Sequence, residues 1–396
     1  MNAGIVVVGI GADGMAGLSE ESRRELRSAN VIHGSQRQLD LLDDTVSAQR
    51  RRWPSPMLPA LQCLLDPVAA GPPIHVVASG DPLLHGVGGV LVRLYGPEQV
   101  RVLPHVSSVA LACARMGWSV QDTEVISLLT AALHTAVRRG GQAVVLSRDG
   151  ATPAGLAAVL TETGRGASEF AVLERLGGPD ERVRRMSAEE WATAAPGDVA
   201  DLNVVAVRFL PEGRVGHSLP DTLFAHDGQI TKQTMRAVTL AALGPRPGEL
   251  LWDVGAGSGS VAVEWCLGAR GCRAVAFEDN AGRRERIAAN SRALGADVQV
   301  RAGAPEAFTG APAPDAIFVG GGLTTPGLLQ ACLDRLGTGG RLAANAVTVE
   351  SEAILLQWYS KFGGELRRFQ HYRGESLGAF TGWRPQMPIT QWVLNR

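Results

Sequence analysis

Long apolar runs, paired cysteines and lysine are all scarce in this sequence of 396 residues. No stretch of 18 uncharged apolar residues occurs, so we expect no membrane-spanning helix and no membrane partner. The apolar stretch near the N-terminus lacks a preceding basic region, which predicts a first β-strand and not a signal peptide. The five cysteines are scattered without a C-x-x-C pair, which indicates reduced core residues and a cytoplasmic protein.

An excess of one charge is also lacking, because the formal net charge is −1. The 38 basic residues include only two lysines, Lys232 and Lys361, and the arginines form no long basic stripe. We therefore expect no nucleic-acid partner. Metal-ligand spacings such as H-x-x-H are missing as well, so no metal site is predicted. The chain is too long for one ordinary hydrophobic core, which predicts two domains in a globular protein.

The stretch from Leu250 to Glu264 carries a ligand-binding pattern. An apolar run ends in Asp253 and is followed by Gly255, Gly257 and Gly259 before a helical pattern begins. Glycine lets the backbone turn tightly against a ligand, and the first amides of the following helix favour a polar group there. This G-x-G-x-G spacing differs from the G-x-G-x-x-G pattern of dinucleotide-binding folds. We therefore predict a nucleoside-type ligand that is not a dinucleotide.

Three further predicted strands also end in residues suited to such a ligand. They are 273–277 followed by Glu278, 298–301 followed by Gly303 to Pro305, and 315–319 followed by Gly320 to Gly322. The carboxylate of Glu278 can accept two hydrogen bonds from a ribose diol. Because the carboxyl ends of parallel strands meet at one edge, the pattern predicts a doubly wound, Rossmann-like α/β sheet that binds S-adenosylmethionine. The alternative is a glycine-rich turn that only packs a helix on a strand.

The first half of the chain repeats this strand-to-glycine-turn pattern. Apolar runs over 5–9 and 74–78 lead into GIGADG and SGDP, respectively. Further strands are predicted over 100–103, 125–127 and 143–146, with a hairpin over 170–186 and a closing strand over 202–207. This succession predicts an α/β domain that contains a second, hairpin-bearing sheet.

Four ordered motifs make the first half resemble the tetrapyrrole methylases of the uroporphyrinogen and precorrin type. They are GIGADG near residue 9, SGDPLLHG near 80, PHVSSVALACARMG near 104 and LERLGGPDERV near 173. The resemblance covers about residues 4–208 and implies a two-lobed α/β fold that binds S-adenosylmethionine between its lobes. The positions that match the family's cofactor contacts are Gly9, Gly80, Asp81, Leu83, Leu84, Ser107 and Ser108.

One turn departs from the family's pattern. Related enzymes often carry a Ser-x-His-Gly-Arg-like turn after the strand near Val125, whereas this chain continues from Ser127 as Leu-Leu-Thr-Ala-Ala. His134 follows several residues too late to replace the motif. The family's contact at this turn is therefore not expected. A first domain that has lost activity and only scaffolds the second is one alternative.

The second half resembles the decarboxylating precorrin methyltransferase domain. The motifs are the run from Leu219 to Gly244, the glycine loop, Glu278, GAPEAF at 303–308 and PDAIFVGG at 314–321. The polar, Gly- and Pro-rich segment 211–221 predicts a linker between domains 1–210 and 222–396. The matching cofactor positions are Thr231, Gly255, Ala256, Gly257, Ser258, Gly259, Glu278 and Ala304. Thr231 is alternatively the N-cap of a helix over 232–243, and the two roles are compatible.

The two resemblances together imply a bifunctional enzyme of cobalamin biosynthesis. They imply one S-adenosylmethionine per domain and a precorrin substrate that is methylated at carbon 5 by the first domain and at carbon 15 by the second. The second domain is also expected to remove the carboxyl of the ring C acetate at carbon 12. Tetrapyrrole methylases are commonly dimers, so the resemblance implies a homo-oligomer.

The substrate carries many carboxylates, so cationic groups should line both pockets. In the second domain Lys232 and Arg236 are predicted on one helix face at i, i+4, and Asp221 precedes that helix; these three are the candidate catalytic residues. One rival function is methylation of another substrate, including nucleic acid. Enzymes that methylate amino groups of nucleic acids usually carry an Asp/Asn-Pro-Pro-aromatic run at the fourth strand, and this run is missing here. The other rival is an oxidoreductase or a non-catalytic nucleotide-sensing protein.

Overall fold

The computed structural model describes residues 4–63, 72–211 and 218–396. The chain divides into two compact units, Met1–Pro211 and Glu212–Arg396. Most of the predicted linker over 211–221 (residues 212–217) lies outside the described residues. Its last residues belong to the second unit, because Leu219 is buried and its backbone N–H donates to Glu264 at 2.8 Å. Leu219, near the end of the predicted linker, is therefore packed within the second unit.

The first unit contains two sheets. Its strands and α-helices are, in chain order, β1 (Ile5–Ile10), α1 (Glu20–Ser28), β2 (Val31–Gly34), α2 (Gln36–Leu39), β3 (Gln49–Arg52), α3 (Met57–Cys63), β4 (Ile74–Ser79), α4 (Val87–Tyr95), β5 (Val100–Leu103), α5 (Ser108–Met116), β6 (Glu124–Ser127), β7 (Gln142–Leu146), α6 (Thr152–Glu162), β8 (Glu169–Glu174), β9 (Arg182–Ser187), α7 (Ala188–Ala194) and β10 (Asn203–Arg208). The first sheet has the order β3-β2-β4-β1-β5 and is parallel. The second has the order β6-β7-β10-β8-β9, in which only β6 and β7 are parallel.

Local sequence explains why these elements form. Every residue of β1 is buried, as expected for an apolar, β-branched strand in the middle of a parallel sheet covered on both faces. Ser19 caps α1, since its Oγ accepts the Ser22 N–H at 3.1 Å, and Ser107 caps α5 through the Ala110 N–H at 3.1 Å. The two-sheet, two-lobed α/β prediction is confirmed.

The second unit is built on one large sheet. Its elements are α8 (Gln233–Leu243), β11 (Leu250–Val254), α9 (Ser260–Gly268), β12 (Arg273–Phe277), α10 (Ala281–Leu294), β13 (Val298–Arg301), β14 (Ala316–Val319), α11 (Leu328–Arg335), β15 (Arg341–Ala346), α12 (Val349–Phe362), β16 (Glu365–Phe369), β17 (Tyr372–Leu377), β18 (Phe380–Pro385) and β19 (Ile389–Asn395). The sheet order is β13-β12-β11-β14-β15-β19-β16. Strands β11 to β15 are parallel, β19 runs antiparallel to both of its neighbours, and β17 and β18 form a separate hairpin.

The four strands predicted around the glycine loop are β13, β12, β11 and β14, adjacent in that order, which confirms the doubly wound prediction. Beneath them Trp252, Phe277 and Phe308 form an aromatic cluster with ring centroids 4.6 to 5.0 Å apart. The indole N–H of Trp252 donates to the Pro312 carbonyl at 3.0 Å, so its polar edge is satisfied. Within the described ranges, no helix is both long and apolar enough to cross a bilayer.

Candidate functional site

A cleft of about 1060 Å³ opens at the carboxyl ends of the parallel strands in the second unit. Seven of the predicted site residues line it: Thr231, Lys232, Gly255, Ala256, Gly257, Glu278 and Ala304. Ser258 and Gly259 complete the same turn but are buried. Four separate segments of sequence therefore converge on one cavity, and three of them follow strand ends, as expected for a doubly wound sheet.

The glycines of the loop after β11 have conformations that other residues rarely adopt. Gly255, Gly257 and Gly259 have φ values of +68°, +60° and +72°. A Cβ on Gly255 would lie 2.7 Å from the backbone of Gly321, so the turns after β11 and β14 pack directly on each other. A Cβ on Gly257 would lie 3.3 Å from the Gln229 carbonyl oxygen. The loop thus brings bare backbone to the edge of the cleft, where a ligand can approach closely.

Glu278, directly after β12, has its carboxylate held in place by backbone amides. Oε2 accepts the Gly257 N–H at 2.8 Å, and Oε1 accepts the Asn280 N–H at 3.0 Å. A carboxylate offers about four acceptor sites, so two remain for a ligand. This buried acceptor beside the glycine loop has the position and chemistry to bind a ribose diol.

Asp253, the residue before the last of β11, is a buried acid that the sequence analysis did not select as a site residue. It is 1% exposed, and its Oδ2 accepts the Ala262 N–H of α9 at 3.0 Å. Burial, followed by the nearby charge of Glu278, raises the pKa of Asp253 to about 7. The carboxyl therefore titrates near neutrality at the base of the glycine loop.

Arg236 does not face the cleft, which corrects the prediction that it contacts substrate. Its side chain is fully buried, and Nε binds Glu264 Oε1 at 2.6 Å. Its NH1 donates to the Thr231 carbonyl at 2.6 Å and to Asp221 Oδ1 at 3.1 Å, and NH2 donates to the Leu219 carbonyl. The i, i+4 spacing gave no information about which face of α8 packs inward. Arg236 stabilises the start of the second unit.

Asp221 lies at the start of α8 and not in the cleft lining, and Thr231 is not the cap of that helix. The helix α8 begins at Gln233, whose N–H donates to Asp221 Oδ1 at 3.0 Å. Asp221, 12 residues earlier in the chain, therefore accepts one of the first backbone N–H groups of this helix, which have no partner within the helix. The residue at the N-cap position is Lys232, without a side-chain cap, so the prediction of Thr231 as N-cap is wrong. Thr231 remains at the cleft wall.

Lys232 is the predicted cation that does reach this cleft. Its side chain is 48% exposed, and Nζ lies 3.9 Å from Asp221 Oδ2, a loose ion pair that leaves the amine available. Sequence reasoning missed Arg283, whose Nε binds Asp227 at 3.0 Å, and it missed Asn345 and His371. Asn345 follows an apolar run, which was the signal for another strand end.

The first unit has its own cleft, of about 390 Å³, lined by the predicted residues Gly80, Leu84 and Ser108. A Cβ on Gly9 would lie 2.1 Å from the Gly80 carbonyl oxygen and 2.7 Å from the His105 nitrogen. The end of β1 therefore touches the turns after β4 and β5 through bare backbone. This close packing explains why glycine is needed at position 9.

The other predicted residues of the first unit shape these turns. Asp81 Oδ1 accepts the Leu83 N–H at 2.9 Å, which fixes the turn after β4. Leu83 itself is exposed, and Ser107 is occupied as the cap of α5. The structure thus gathers the predicted residues at one end of the sheet, although only some of them line the cleft.

One histidine and one arginine of the first cleft have unusual backbone conformations. His85 and Arg175 have φ values of +51° and +48°, and both line the cleft together with Arg37. Within the described ranges they are the only residues other than glycine with positive φ. Such conformations cost free energy and concentrate at functional sites. None of these three residues was among the site residues predicted from the sequence.

The turn after Ser127, which departs from the family pattern, is held by hydrogen bonds from Arg148. The guanidinium of Arg148 donates to the carbonyls of Leu129 at 3.1 Å and Ala131 at 3.2 Å. Leu129 then lines the first cleft, and His134 lies in a short 3₁₀ helix, Leu133–Ala136. An apolar side chain therefore stands at the cleft wall in the turn that follows β6. In the portions of the chain that the structure describes, no group of three or more metal-ligating side chains occurs.

Comparisons with known proteins agree with this two-part architecture. A model described as tetrapyrrole (corrin/porphyrin) methylases matches residues 4–192, and a model described as a precorrin methyltransferase domain matches residues 222–396. The chain is 64% identical to the precorrin-6Y C(5,15)-methyltransferase [decarboxylating] of Mycobacterium tuberculosis (strain CDC 1551 / Oshkosh), over 99% of this chain and 100% of that protein.

Two more distant relatives differ in length. The Sinorhizobium sp. protein of the same name is 41% identical, over 98% of this chain and 95% of its own. The probable cobalt-precorrin-6B C(15)-methyltransferase (decarboxylating) of Pyrobaculum calidifontis is 35% identical over 180 residues, which are 43% of this chain and 92% of that protein. The archaeal relative thus corresponds in size to one of the two units.

Proposed function

Since this chain belongs to the family of precorrin-6Y C(5,15)-methyltransferases (decarboxylating), we propose that its two clefts divide the reaction between them. The enzyme is an S-adenosylmethionine-dependent C-methyltransferase of cobalamin biosynthesis that also decarboxylates its substrate. In our proposal the first unit methylates carbon 5 of precorrin-6Y. The second unit methylates carbon 15 and removes the carboxyl of the ring C acetate at carbon 12, giving precorrin-8x.

Two findings support this assignment of tasks. The name of the Pyrobaculum calidifontis relative, which is about as long as one unit, combines methylation at carbon 15 with decarboxylation. The precorrin methyltransferase model matches residues 222–396, whose motifs also resemble the decarboxylating precorrin methyltransferase domain, so our proposal assigns these two tasks to the second unit. Methylation at carbon 5 is then left for the first unit, which matches the tetrapyrrole methylases.

We further propose one S-adenosylmethionine per unit. The observation that carries this proposal in the second unit is the anchoring of Glu278 to Gly257 at 2.8 Å, which holds a diol acceptor beside bare backbone. In the first unit, the support is the convergence of Gly9 near the end of β1, Gly80 after β4 and Ser108 at the start of α5. When bound, the cofactor supplies an electrophilic methyl group.

Methyl transfer to this substrate requires the protein to align substrate and cofactor more than it requires acid–base catalysis. A reduced tetrapyrrole presents electron-rich carbons, so its correct orientation in a cavity that excludes water supplies most of the acceleration. The second cleft has apolar walls that include Met235 and Phe318, and its amine, Lys232, can attract substrate carboxylates. In the first cleft Arg37 and Arg175 have the same role in our proposal.

The assignment is tested with variants of the full chain that fill one cleft at a time. Ser108→Trp occupies part of the first cleft, and Ala304→Trp occupies part of the second. Each variant is incubated with precorrin-6Y and methyl-labelled S-adenosylmethionine, and the products are analysed by mass spectrometry and NMR. We expect Ser108→Trp to give product methylated only at carbon 15 and decarboxylated. We expect Ala304→Trp to give product methylated only at carbon 5 with its acetate intact.

Equal loss of all three changes in both variants would contradict the division of labour. If wild type and Ser108→Trp gave the same products, the first unit would be an inactive scaffold, which is the alternative raised by its altered turn. Membership in this family disfavours the other two alternatives, a nucleic-acid methyltransferase and an oxidoreductase. The cytoplasmic location stays a prediction.

We propose that the chain forms a homo-oligomer through the hairpin β17–β18. This hairpin forms a separate two-stranded sheet in which Phe380 and Trp383 are 79% and 78% exposed. Exposed apolar patches with unpaired strand edges favour association, and an identical hairpin of a second copy offers a matching edge and matching apolar surface. We expect Trp383→Lys to lower the mass measured by light scattering, whereas an unchanged mass would exclude this contact.

A further inference from the structure

Asn345, at the carboxyl end of β15, lines the second cleft with a side-chain amide that is held at both ends. Its Nδ2 donates to Thr239 Oγ1 of α8 at 3.0 Å, and its Oδ1 accepts from Gln391 Nε2 of β19 at 2.9 Å. Thr239 and Gln391 have no solvent exposure. A partly exposed amide at the cleft is thus connected to two buried polar groups of the core.

The hydrogen bonds of Thr239 determine which way this amide points. The single hydroxyl hydrogen of Thr239 is donated to the Met235 carbonyl at 2.8 Å, so its oxygen acts only as an acceptor toward Asn345 Nδ2 and toward Gln391 Nε2, which lies at 3.3 Å. The amide end of Asn345 that faces Thr239 must therefore be the NH₂ group. The other end, the oxygen, faces the Gln391 amide. One N–H of Asn345 Nδ2 is left without a partner among the described residues.

This network costs stability in the folded chain. Buried amides and hydroxyls are less favourable than apolar side chains of the same size unless every group is paired. Here the Oε1 of Gln391 is buried without a partner, although Gln391 has no solvent exposure. The network lowers stability but fixes the direction of the Asn345 amide at the edge of the cleft. This combination indicates that the amide has a function.

The sheet order indicates what Asn345 contacts. Glu278 and the glycine loop lie at the ends of β12 and β11, whereas Asn345 lies on β15, separated from β11 by β14. Ligands in such sheets bind across the carboxyl ends of the strands, and the nucleoside occupies the β11–β12 side in our proposal. The part of the cleft beside Asn345 is then available to the methyl acceptor.

We propose that Asn345 is a substrate-contacting residue of the second unit, and that its free N–H donates a hydrogen bond to a carboxylate oxygen of the tetrapyrrole. Thr239 and Gln391 are positioning residues that act through Asn345. The N–H of a neutral amide orients a carboxylate through a directional hydrogen bond. An ammonium attracts a carboxylate more strongly but fixes its orientation less. This inference rests on the proposed function of the second unit.

The test compares Asn345→Asp with wild type in the full chain. Aspartate has the same shape and keeps an oxygen for Gln391, but it loses both N–H donors and adds a negative charge. We expect the KM for precorrin-6Y, measured by methylation at carbon 15, to rise about tenfold or more, as expected for the loss of a hydrogen bond to a charged group. Binding of S-adenosylmethionine and methylation at carbon 5 should stay unchanged.

A second pair of variants tests the positioning role and covers the case in which Asn345→Asp fails to fold. Thr239→Val removes the acceptor with little change of shape, and Thr239→Ser keeps the hydroxyl. We expect Thr239→Val to raise the KM for precorrin-6Y and Thr239→Ser to resemble wild type. A purely structural role of the network would lower the melting temperature in Thr239→Val and leave this KM unchanged.

The outcomes separate this inference from the proposed function. If wild type methylates carbon 15 and Asn345→Asp has the wild-type KM, the inference about Asn345 is overturned and the function of the unit stands. If wild type itself neither methylates carbon 15 nor decarboxylates precorrin-6Y, the function proposed for the second unit is overturned first. Loss of S-adenosylmethionine binding in Asn345→Asp would assign the residue to the cofactor and also overturn the inference.

Discussion

The guanidinium of Arg236 and the carboxylate of Glu264 form a buried ion pair, in which Nε lies 2.6 Å from Oε1. Glu264, on α9, also accepts the backbone N–H of Leu219 at 2.8 Å and a hydrogen bond from Ser218 Oγ at 3.0 Å. The pair therefore connects α8 and α9 to the first described residues of the second unit. A cation in this position stabilises the fold and does not reach the substrate.

We expect Arg236→Met to destabilise the protein by about 3–5 kcal/mol, because Glu264 would be left as an unpaired buried charge. The measurement is urea unfolding of the full chain, combined with hydrogen exchange of the peptides that cover 218–243. Arg283→Met is the matched control, since Arg283 pairs with Asp227 at a partly exposed site and its loss should cost about 1 kcal/mol or less. Unchanged stability with a raised KM would restore Arg236 as a substrate-binding residue.

A second prediction concerns the close packing of Gly9 against Gly80. In Gly9→Ala the new Cβ would lie 2.1 Å from the Gly80 carbonyl oxygen, so the turn after β4 must move. We expect this variant to lose S-adenosylmethionine binding and carbon 5 methylation in the first unit and to keep the reactions of the second. Product analysis by mass spectrometry measures both at once.

Gly89→Ala is the control for that substitution. Gly89 lies within α4, and a Cβ there would meet its nearest atoms at 3.9 Å, which is ordinary contact. Because alanine favours helices over glycine, this variant should keep full activity. Equal activity of Gly9→Ala and Gly89→Ala would show that the end of β1 and the turn after β4 tolerate displacement, and the predicted role of Gly9 would be wrong.

A third prediction tests the anchored acceptor Glu278. Glu278→Gln replaces a charged acceptor by a neutral amide, so we expect the affinity of the second site for S-adenosylmethionine to fall about tenfold to a hundredfold. Calorimetric titration of the full chain should show two sites in wild type and one weakened site in the variant. Glu285→Gln makes the same chemical change at an exposed carboxylate of α10 outside the lining of this cleft, so it is the control and should bind as wild type does. Two unaltered sites in Glu278→Gln would exclude Glu278 from the cofactor site.

The sequence was informative wherever the determinant of structure is local. Alternate glycines after an apolar run need only their own backbone conformation, so the turn at Gly255 and the acceptor Glu278 were predicted from short stretches. Asn345 was missed because its orientation depends on Thr239 and Gln391, which are 106 and 46 residues away in the chain. Arg236 was assigned to the wrong environment for the same reason, since its acceptor Glu264 is 28 residues away. Periodicity identifies a helix but not the face that other segments cover.

The last prediction concerns the pH dependence of stability that Asp253 introduces. Burial and then the charge of Glu278 raise its pKa from 3.8 to about 7 in the folded protein. Between these two values the folded state holds a proton that the unfolded chain has lost. Stability therefore decreases as the pH rises through this window, because the folded state binds more protons there, and the loss is complete above the folded pKa.

Asp253→Asn tests this directly, because asparagine resembles the protonated acid and does not titrate. Its oxygen can still accept the Ala262 N–H that Asp253 accepts at 3.0 Å. We expect the stability of the variant relative to wild type to increase steadily from about pH 4 to about pH 7 and to level off above that range. Urea unfolding across the pH range measures the difference, and Asp334→Asn, an exposed carboxylate on α11, is the control. Parallel pH profiles for wild type and Asp253→Asn would mean that Asp253 keeps an ordinary pKa, so that water or a nearby dipole stabilises its charge at the base of the glycine loop.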